Sequence, residues 1–310
     1  MKFNPVLSKE LKVKMRNWKA AGMIGAYLLV MAVVATFILM MIMSDMSATG
    51  VNRQAATITY GFLAAIQFML IIFIAPALTS GSISGERERQ TLDLLLCTKL
   101  RPRSIILGKL FSCLSQVILL IIASFPIFAT VFVFGGISIA NLLQLFLFYL
   151  VVAVLMGCLG VFFSTIIKKT TTSNVVTYAV VLFLLFGTLI LTAIYMQIFV
   201  YGKAAQVQQP GMPPAQTVQT FFPLLYFNPL VGFASLLVDQ FGGSGAQGIP
   251  IIGGMLSGFG KSGMKPWVIS TIVNFGMACL LFLFSSLKVN PVRKKLKNRE
   301  KTSKHTVVQK

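Results

Sequence analysis

Apolar residues occupy this chain in long runs, and polar residues come in blocks between them. Six runs stand out, at approximately 20–43, 58–80, 105–134, 141–167, 174–200 and 266–287. Each supplies at least the ~20 apolar residues that a helix needs to cross ~30 Å of hydrocarbon. Apolar and polar positions do not alternate within the runs, as they do in barrel strands, so the pattern predicts helices. Pro76 and Pro126 fall inside runs and predict kinks, and the third run is long enough to project beyond a bilayer or to break near Pro126. The expected fold is an all-α polytopic membrane protein with six transmembrane helices.

Composition agrees. Of 310 residues, 56% are hydrophobic and 11% charged, against about 25% charged in soluble domains. The net charge of +20 could suit nucleic acid. Its placement in short blocks between apolar runs is explained by membrane topology, so no nucleic-acid partner is expected. Of 27 Lys and Arg residues, 23 lie before the first run, between the second and third (with Lys109 just inside the third), at Lys168 and Lys169, or after the sixth. The alternate side holds Arg53, Lys203, Lys261 and Lys265. The bias of cations toward the cytoplasm puts both termini and the 81–104 loop inside. The expected division is 1–19 an interfacial helix, 20–287 the transmembrane domain with an external connector at 201–265, and 288–310 a basic cytoplasmic tail.

Two segments are more than loops. In "NPVLSKELKVKMRNWK", residues 4–19, Val6, Leu7, Leu11, Met15 and Trp18 recur at helical spacing with lysines between them. Such a helix lies in the membrane interface, apolar face toward acyl chains and cations toward anionic headgroups; a merely solvated basic leader is the plainer alternative. In the connector, "YFNPLVGFASLLVDQFGG" offers Asn228 as a cap, Pro229 at the first helical position and glycines at the end. Twelve helical residues reach ~18 Å, too short to span, so a re-entrant or interfacial helix is expected.

Catalytic chemistry is scarce. The one histidine, His305, lies in the basic tail, and Cys97, Cys113, Cys158 and Cys279 form no paired motif. "GGMLSGFGKS", residues 253–262, imitates a phosphate-binding loop, but Met255 stands where the first glycine belongs and Gly254 comes one residue too early. No catalytic, cofactor or metal site is expected in this chain. The runs are almost free of acids, which counts against a proton-coupled carrier, although sodium held by backbone carbonyls at broken helices would leave no such mark.

One polar block is unusually dense. Residues 81–104, "GSISGERERQTLDLLLCTKLRPRS", gather Glu86, Arg87, Glu88, Arg89, Asp93, Lys99, Arg101 and Arg103. At the bilayer centre each charge would cost roughly 2.5–3.5 kcal/mol, so the segment must leave the membrane. "ERERQTLDLLL" reads as a short helix with Leu92, Leu95 and Leu96 on one face, Arg89 and Asp93 at i,i+4 spacing, and Pro102 blocking continuation. Leucines to anchor and charges to orient suit a groove on a soluble partner. A solvated loop stabilised by its own ion pairs fits the same residues.

"ISGERERQTLDLLLCTKLRPRSIILGKL" closely resembles the segment between the second and third spans of ABC-2 type ABC transporter permeases. Ser84, Gly85, Glu86, Arg87, Thr91, Leu92, Leu94, Leu95, Leu96, Arg103, Leu107, Gly108 and Lys109 fit that pattern. Gln90 stands where glycine is common and Asp93 where glutamate is. The leader "NPVLSKELK" also looks like the start of such permeases, where an amphipathic elbow helix precedes the first span; here Leu7, Leu11, Met15 and Trp18 would form it. The resemblance implies a cytoplasmic coupling helix at 82–100, with Glu86, Arg87, Glu88, Arg89, Leu92, Asp93, Leu95 and Leu96 meeting an ATPase. It implies two ATP-binding cassette subunits carrying ATP and Mg, a second permease chain, and a pathway walled by the first, second and fifth spans. The expected function is ATP-driven transport, usually export, of a lipophilic or amphipathic substrate across a bacterial plasma membrane. An ATPase-anchored regulator that moves no solute, or a secondary carrier, would share much of this pattern.

Overall fold

The computed structural model describes residues 18–45, 53–91, 102–133, 137–195, 197–198, 223–241 and 265–288. Every element among them is helical. Helix α1 covers Trp18–Asp45, α2 Arg53–Thr79, α3 Ser84–Glu88, α4 Pro102–Ala123, α5 Phe125–Val133 and α6 Ile139–Ile166. Then α7 covers Thr170–Leu182, a π turn Phe183–Gly187, and α8 Thr188–Tyr195. A 3-10 turn at Pro223–Phe227 leads into α9, Pro229–Gln240, and α10 covers Pro266–Lys288.

Five helical segments among the described residues are long and apolar enough to cross a membrane. They are α2, α4–α5, α6, α7–α8 and α10. In α1 the apolar stretch with described side chains, Gly22–Ile38, is shorter than these, while its backbone is helical for 28 residues. The third run is two helices. Proline at 126 has no N–H for the carbonyl one turn back, and its ring crowds that turn. The chain breaks at Ser124, whose carbonyl accepts from Ile127 N at 3.0 Å and from Phe128 N at 3.3 Å. Pro76 is accommodated inside α2.

Helix α6 is central. In its apolar window 67% is buried, against 28% for α7–α8 and 22% for α10. It packs on α10, α2, α4 and α7. Small residues permit close approach, as expected where lipid tails are as apolar as leucine and contact rather than hydrophobicity drives association. A Cβ added at Gly160 of α6 would lie 2.0 Å from Thr79 Oγ1 and 3.0 Å from Ser80 N. Polar bonds fix the register: Tyr149 of α6 donates to Ala64 O of α2 at 2.7 Å.

The outer surface is apolar. Phe37, Leu143, Phe183 and Ile272 are each more than 60% exposed. Burying one such side chain from water is worth about 1.5–3 kcal/mol, so this surface belongs against acyl chains or another apolar protein face.

The connector helix α9 is set into the bundle. Asn228 caps it by accepting from Leu230 N at 2.8 Å, and Pro229 occupies its first turn. Phe233 stacks on Phe68 of α2 with ring centroids 4.4 Å apart. At its far end Gln240 donates to Asn141 O and accepts from Tyr60 Oη, both at 2.8 Å. Asp239 meets Lys265 Nζ at 2.9 Å and Trp267 Nε1 at 3.2 Å, tying α9 to the start of α10.

Candidate functional site

The charged segment begins one residue after α2 ends, and Ser80 and Ile83 keep the chain in tight turns until α3 starts. Helix α3 is five residues long, Ser84–Glu88. A helix this short leaves its terminal backbone groups unpaired, and neighbouring helices satisfy them. Ser164, wholly buried near the end of α6, accepts from Ser84 N at 2.8 Å and from Ile83 N at 2.9 Å. Its hydroxyl therefore does for α3 what a capping serine does for its own helix. Ser84 Oγ donates to Ser80 O at 3.2 Å.

The other end closes on itself. Gln90 N donates to Arg87 O at 3.1 Å and Thr91 N to Glu86 O at 3.0 Å. This pair of bonds is the Schellman pattern, which needs a left-handed residue just past the helix. Gln90 is that residue, with φ of 57°.

Each charge of "ERE" meets its own partner. Glu86 Oε1 pairs with Lys109 Nζ of α4 at 3.0 Å, with side chains 31% and 7% exposed. Its other oxygen accepts from the Thr91 hydroxyl. Arg87 Nη2 donates to Thr165 O at 3.2 Å, one of the last carbonyls of α6. Glu88 accepts from Thr170 N at 3.0 Å and from the Thr170 hydroxyl. Thr170 opens α7, so a carboxylate sits at the positive end of that helix and takes one of its unpaired donors. Ser173 Oγ donates to Ser80 O at 2.7 Å, and Ser80 Oγ to Asn174 Oδ1, seating the first turn of α7 on the same segment. Arg89 is exposed.

The continuous helix expected over 86–96 is corrected here. The backbone leaves the helix at Arg89 and turns left-handed at Gln90, so Arg89 and Asp93 do not sit one turn apart on one helix. Leu92, Asp93, Leu95 and Leu96 lie outside the described residues, as do Leu7, Leu11 and Met15 of the elbow and the phosphate-loop imitation at 253–262. Trp18 opens α1, and its side chain also lies outside them. Of the charges, the structure brings Glu86, Arg87 and Glu88 together at the junction of α2, α4, α6 and α7.

The sequence reading missed Ser164, Thr170 and Ser173. Each is a small hydroxyl at the border of an apolar run, and such residues occur freely as fillers between membrane helices. Lys109 carried the one usable signal, a cation just inside an apolar run that calls for a nearby acid.

The family model for the ABC-2 family transporter protein matches residues 5–287. The chain belongs to that family. No individual curated protein matches it. Permeases of the ABC-2 family are generally non-catalytic membrane subunits that work with ATP-binding subunits, which makes this chain a multi-pass component of an ABC transporter.

Proposed function

We propose that this permease forms, with a second permease chain, the pathway for ATP-driven export of a lipophilic or amphipathic substrate. Two separate ATP-binding cassette subunits bind and hydrolyse MgATP. Residues 81–104 and both termini face the cytoplasm, and α9 lies at the external side. With α1 as a span, six crossings return the chain to the side on which it began. The observation that supports this best is the charged helix α3, joined by side-chain bonds to α4, α6 and α7 at one end of the bundle. A solvated loop would shed such contacts, whereas a contact that receives force from a soluble ATPase needs them.

On this reading Glu86, Arg87, Glu88, Arg89 and Asp93 set the register of the contact, and Leu92, Leu95 and Leu96 are its apolar anchors. Truncating a buried anchor costs about 2 kcal/mol or more, and rim charges matter less. The test replaces Glu86, Leu95 and Leu96 with alanine together. Co-elution with the ATP-binding subunit, MgATP turnover in nanodiscs, and ATP-driven uptake of a fluorescent amphipathic dye into inside-out vesicles are then compared with the parent. All three should fall. Unchanged assembly and turnover would reject the coupling contact. Assembly and turnover without uptake of dye or membrane lipid by the parent would favour a membrane regulator of the ATPase.

A further inference from the structure

We propose that the first part of the α7–α8 span, from Thr170 to Thr188, is a rod held at both its ends, which relays displacement of α3 to α9, the helix that runs from the middle of the span toward the opposite end of the bundle. The relay of a nucleotide-driven movement rests on the permease reading above; the mechanical tie between the ends does not.

At one end the rod is seated on the charged segment. Glu88 holds Thr170 through its backbone and hydroxyl, and Ser173 and Asn174 bond to Ser80. Gly81 and Gly85 lie under the same threonine: Cβ atoms built on them would stand 3.4 Å and 3.6 Å from Thr170 Cγ2. The contact is close as well as polar.

At the rod's other end, midway along the 26-residue span, lies the π turn, Phe183–Gly187. A π turn shifts the helical bonding by one residue and leaves carbonyl capacity for an outside donor. Asn228 supplies it. Its Nδ2 donates to Leu185 O at 2.8 Å and to Thr188 Oγ1 at 2.7 Å. Its Oδ1 caps α9 through Leu230 N at 2.8 Å. Asn228 is wholly buried, so no water replaces these bonds when they break. One side chain thus joins the interruption of the span to the start of α9.

Between the ends the span is loosely held. Val175, Leu182, Phe183 and Phe186 are exposed, and the buried share of the whole span is less than half that of α6. Tyr178 adds one bond along the way, to Phe73 O of α2 at 2.7 Å. From Thr170 to Leu185 the distance is about 22 Å at 1.5 Å per residue. A helix tied by polar bonds at both ends and lightly packed along its length can shift without tearing the α6 core. The physical warrant for a relay is an element biased from both sites, and these contacts name one.

The test has two arms, both in full-length protein. The first uses the permease chain alone in nanodiscs and follows amide hydrogen exchange. Thr170→Val with Ser173→Ala loosens the α3 end. It should raise exchange not only at 170–177 but about fivefold in 223–241, the low end of measured couplings between sites. Asn228→Ser keeps a capping hydroxyl for α9 while removing the amide donors. In that background the transmitted increase in 223–241 should vanish. In the Ser173→Ala background, replacing Thr170 and Glu88 with cysteine and joining them in a disulfide should return exchange in 223–241 to the parent level, a rescue that general destabilisation would not give. Exchange rising only at 170–177 overturns the rod. The second arm adds the ATP-binding subunit and follows maleimide reactivity of Val238→Cys in a cysteine-free background, with and without MgATP and vanadate. Reactivity should respond in the parent and lose that response in Asn228→Ser; an equal response in both overturns the relay. Failure of the ATP-binding subunit to assemble would defeat the permease reading, and the exchange arm would still decide the rod.

Discussion

Two short helices sit in opposite halves of this bundle, and they are held by opposite means. Helix α3 is five residues of mostly charged sequence, while α9 has twelve residues and a buried aromatic. Apart from the buried cap by Ser164, the bonds of α3 run through charged side chains that water can reach, with Glu86 31% exposed and Glu88 more open still. Those of α9 run through Asn228, wholly buried, and through Phe233 stacked on Phe68. Charged bonds in contact with water are individually weak and readily exchanged, whereas a buried amide bond is costly to leave unmade. One end is therefore suited to changing partners and the other to keeping them.

The strongest way to test that contrast is to press on a close contact at each end. Gly160→Ala would drive a methyl into Thr79 Oγ1 and against the backbone N of Ser80, which has no room to rotate away. The expected cost is about 1–3 kcal/mol. Gly232→Ala in α9 meets Ser270 Oγ at 2.4 Å. That atom is a hydroxyl with other rotamers, so the change should cost less despite burial at both sites. Thermal unfolding of the purified chain in one detergent should rank Gly160→Ala below Gly232→Ala in midpoint. The reverse order would mean that helix packing follows the same contrast as the bonds, yielding at the α3 end and firm at the α9 end.

What was legible in the sequence follows the same division. Asn228 and Pro229 announce the start of α9 because a cap and a first-turn proline are local signals, read within three residues. The apolar runs announce their helices for the same reason. The charges of α3 were conspicuous, but their partners were not. Ser164 and Thr170 stand about eighty residues away, and a hydroxyl that caps another helix leaves no mark in its own neighbourhood. The end of α3 was misread because Gln90 is an ordinary helix former by propensity. The glycine common at that place in the family was the available warning, and its φ of 57° gives the physical reason.

A smaller effect concerns the ion pair at the charged end. Glu86→Ala leaves the ammonium of Lys109, only 7% exposed, without its carboxylate. Breaking a wholly buried pair costs about 3–5 kcal/mol. Here water reaches the vacated side, so roughly 1–2 kcal/mol is expected. Adding Lys109→Met should return most of that loss, because a linear apolar side chain fills the site without a charge to satisfy. A double-mutant cycle on the unfolding midpoint checks this. Additive losses would mean that the pair contributes nothing and that α3 rests on Ser164 and on the bonds of Arg87 and Glu88.

The smallest expected change runs in the stabilising direction. Gln90 holds a left-handed conformation that costs a residue with a Cβ roughly 1 kcal/mol relative to glycine. Its side chain is exposed, so Gln90→Gly removes little contact. Glycine is also freer in the unfolded chain, which returns part of the gain. The net expectation is about 0.5 kcal/mol in favour of the closed turn. A global unfolding midpoint will scarcely register it. Amide exchange at Gln90 and Thr91, whose N–H groups close the turn onto Arg87 and Glu86, should slow by about twofold, as 0.5 kcal/mol implies for local opening. Faster exchange would show that the glutamine side chain holds the turn through contacts of its own, and that this end of the molecule is more firmly built than its exposed charges suggest.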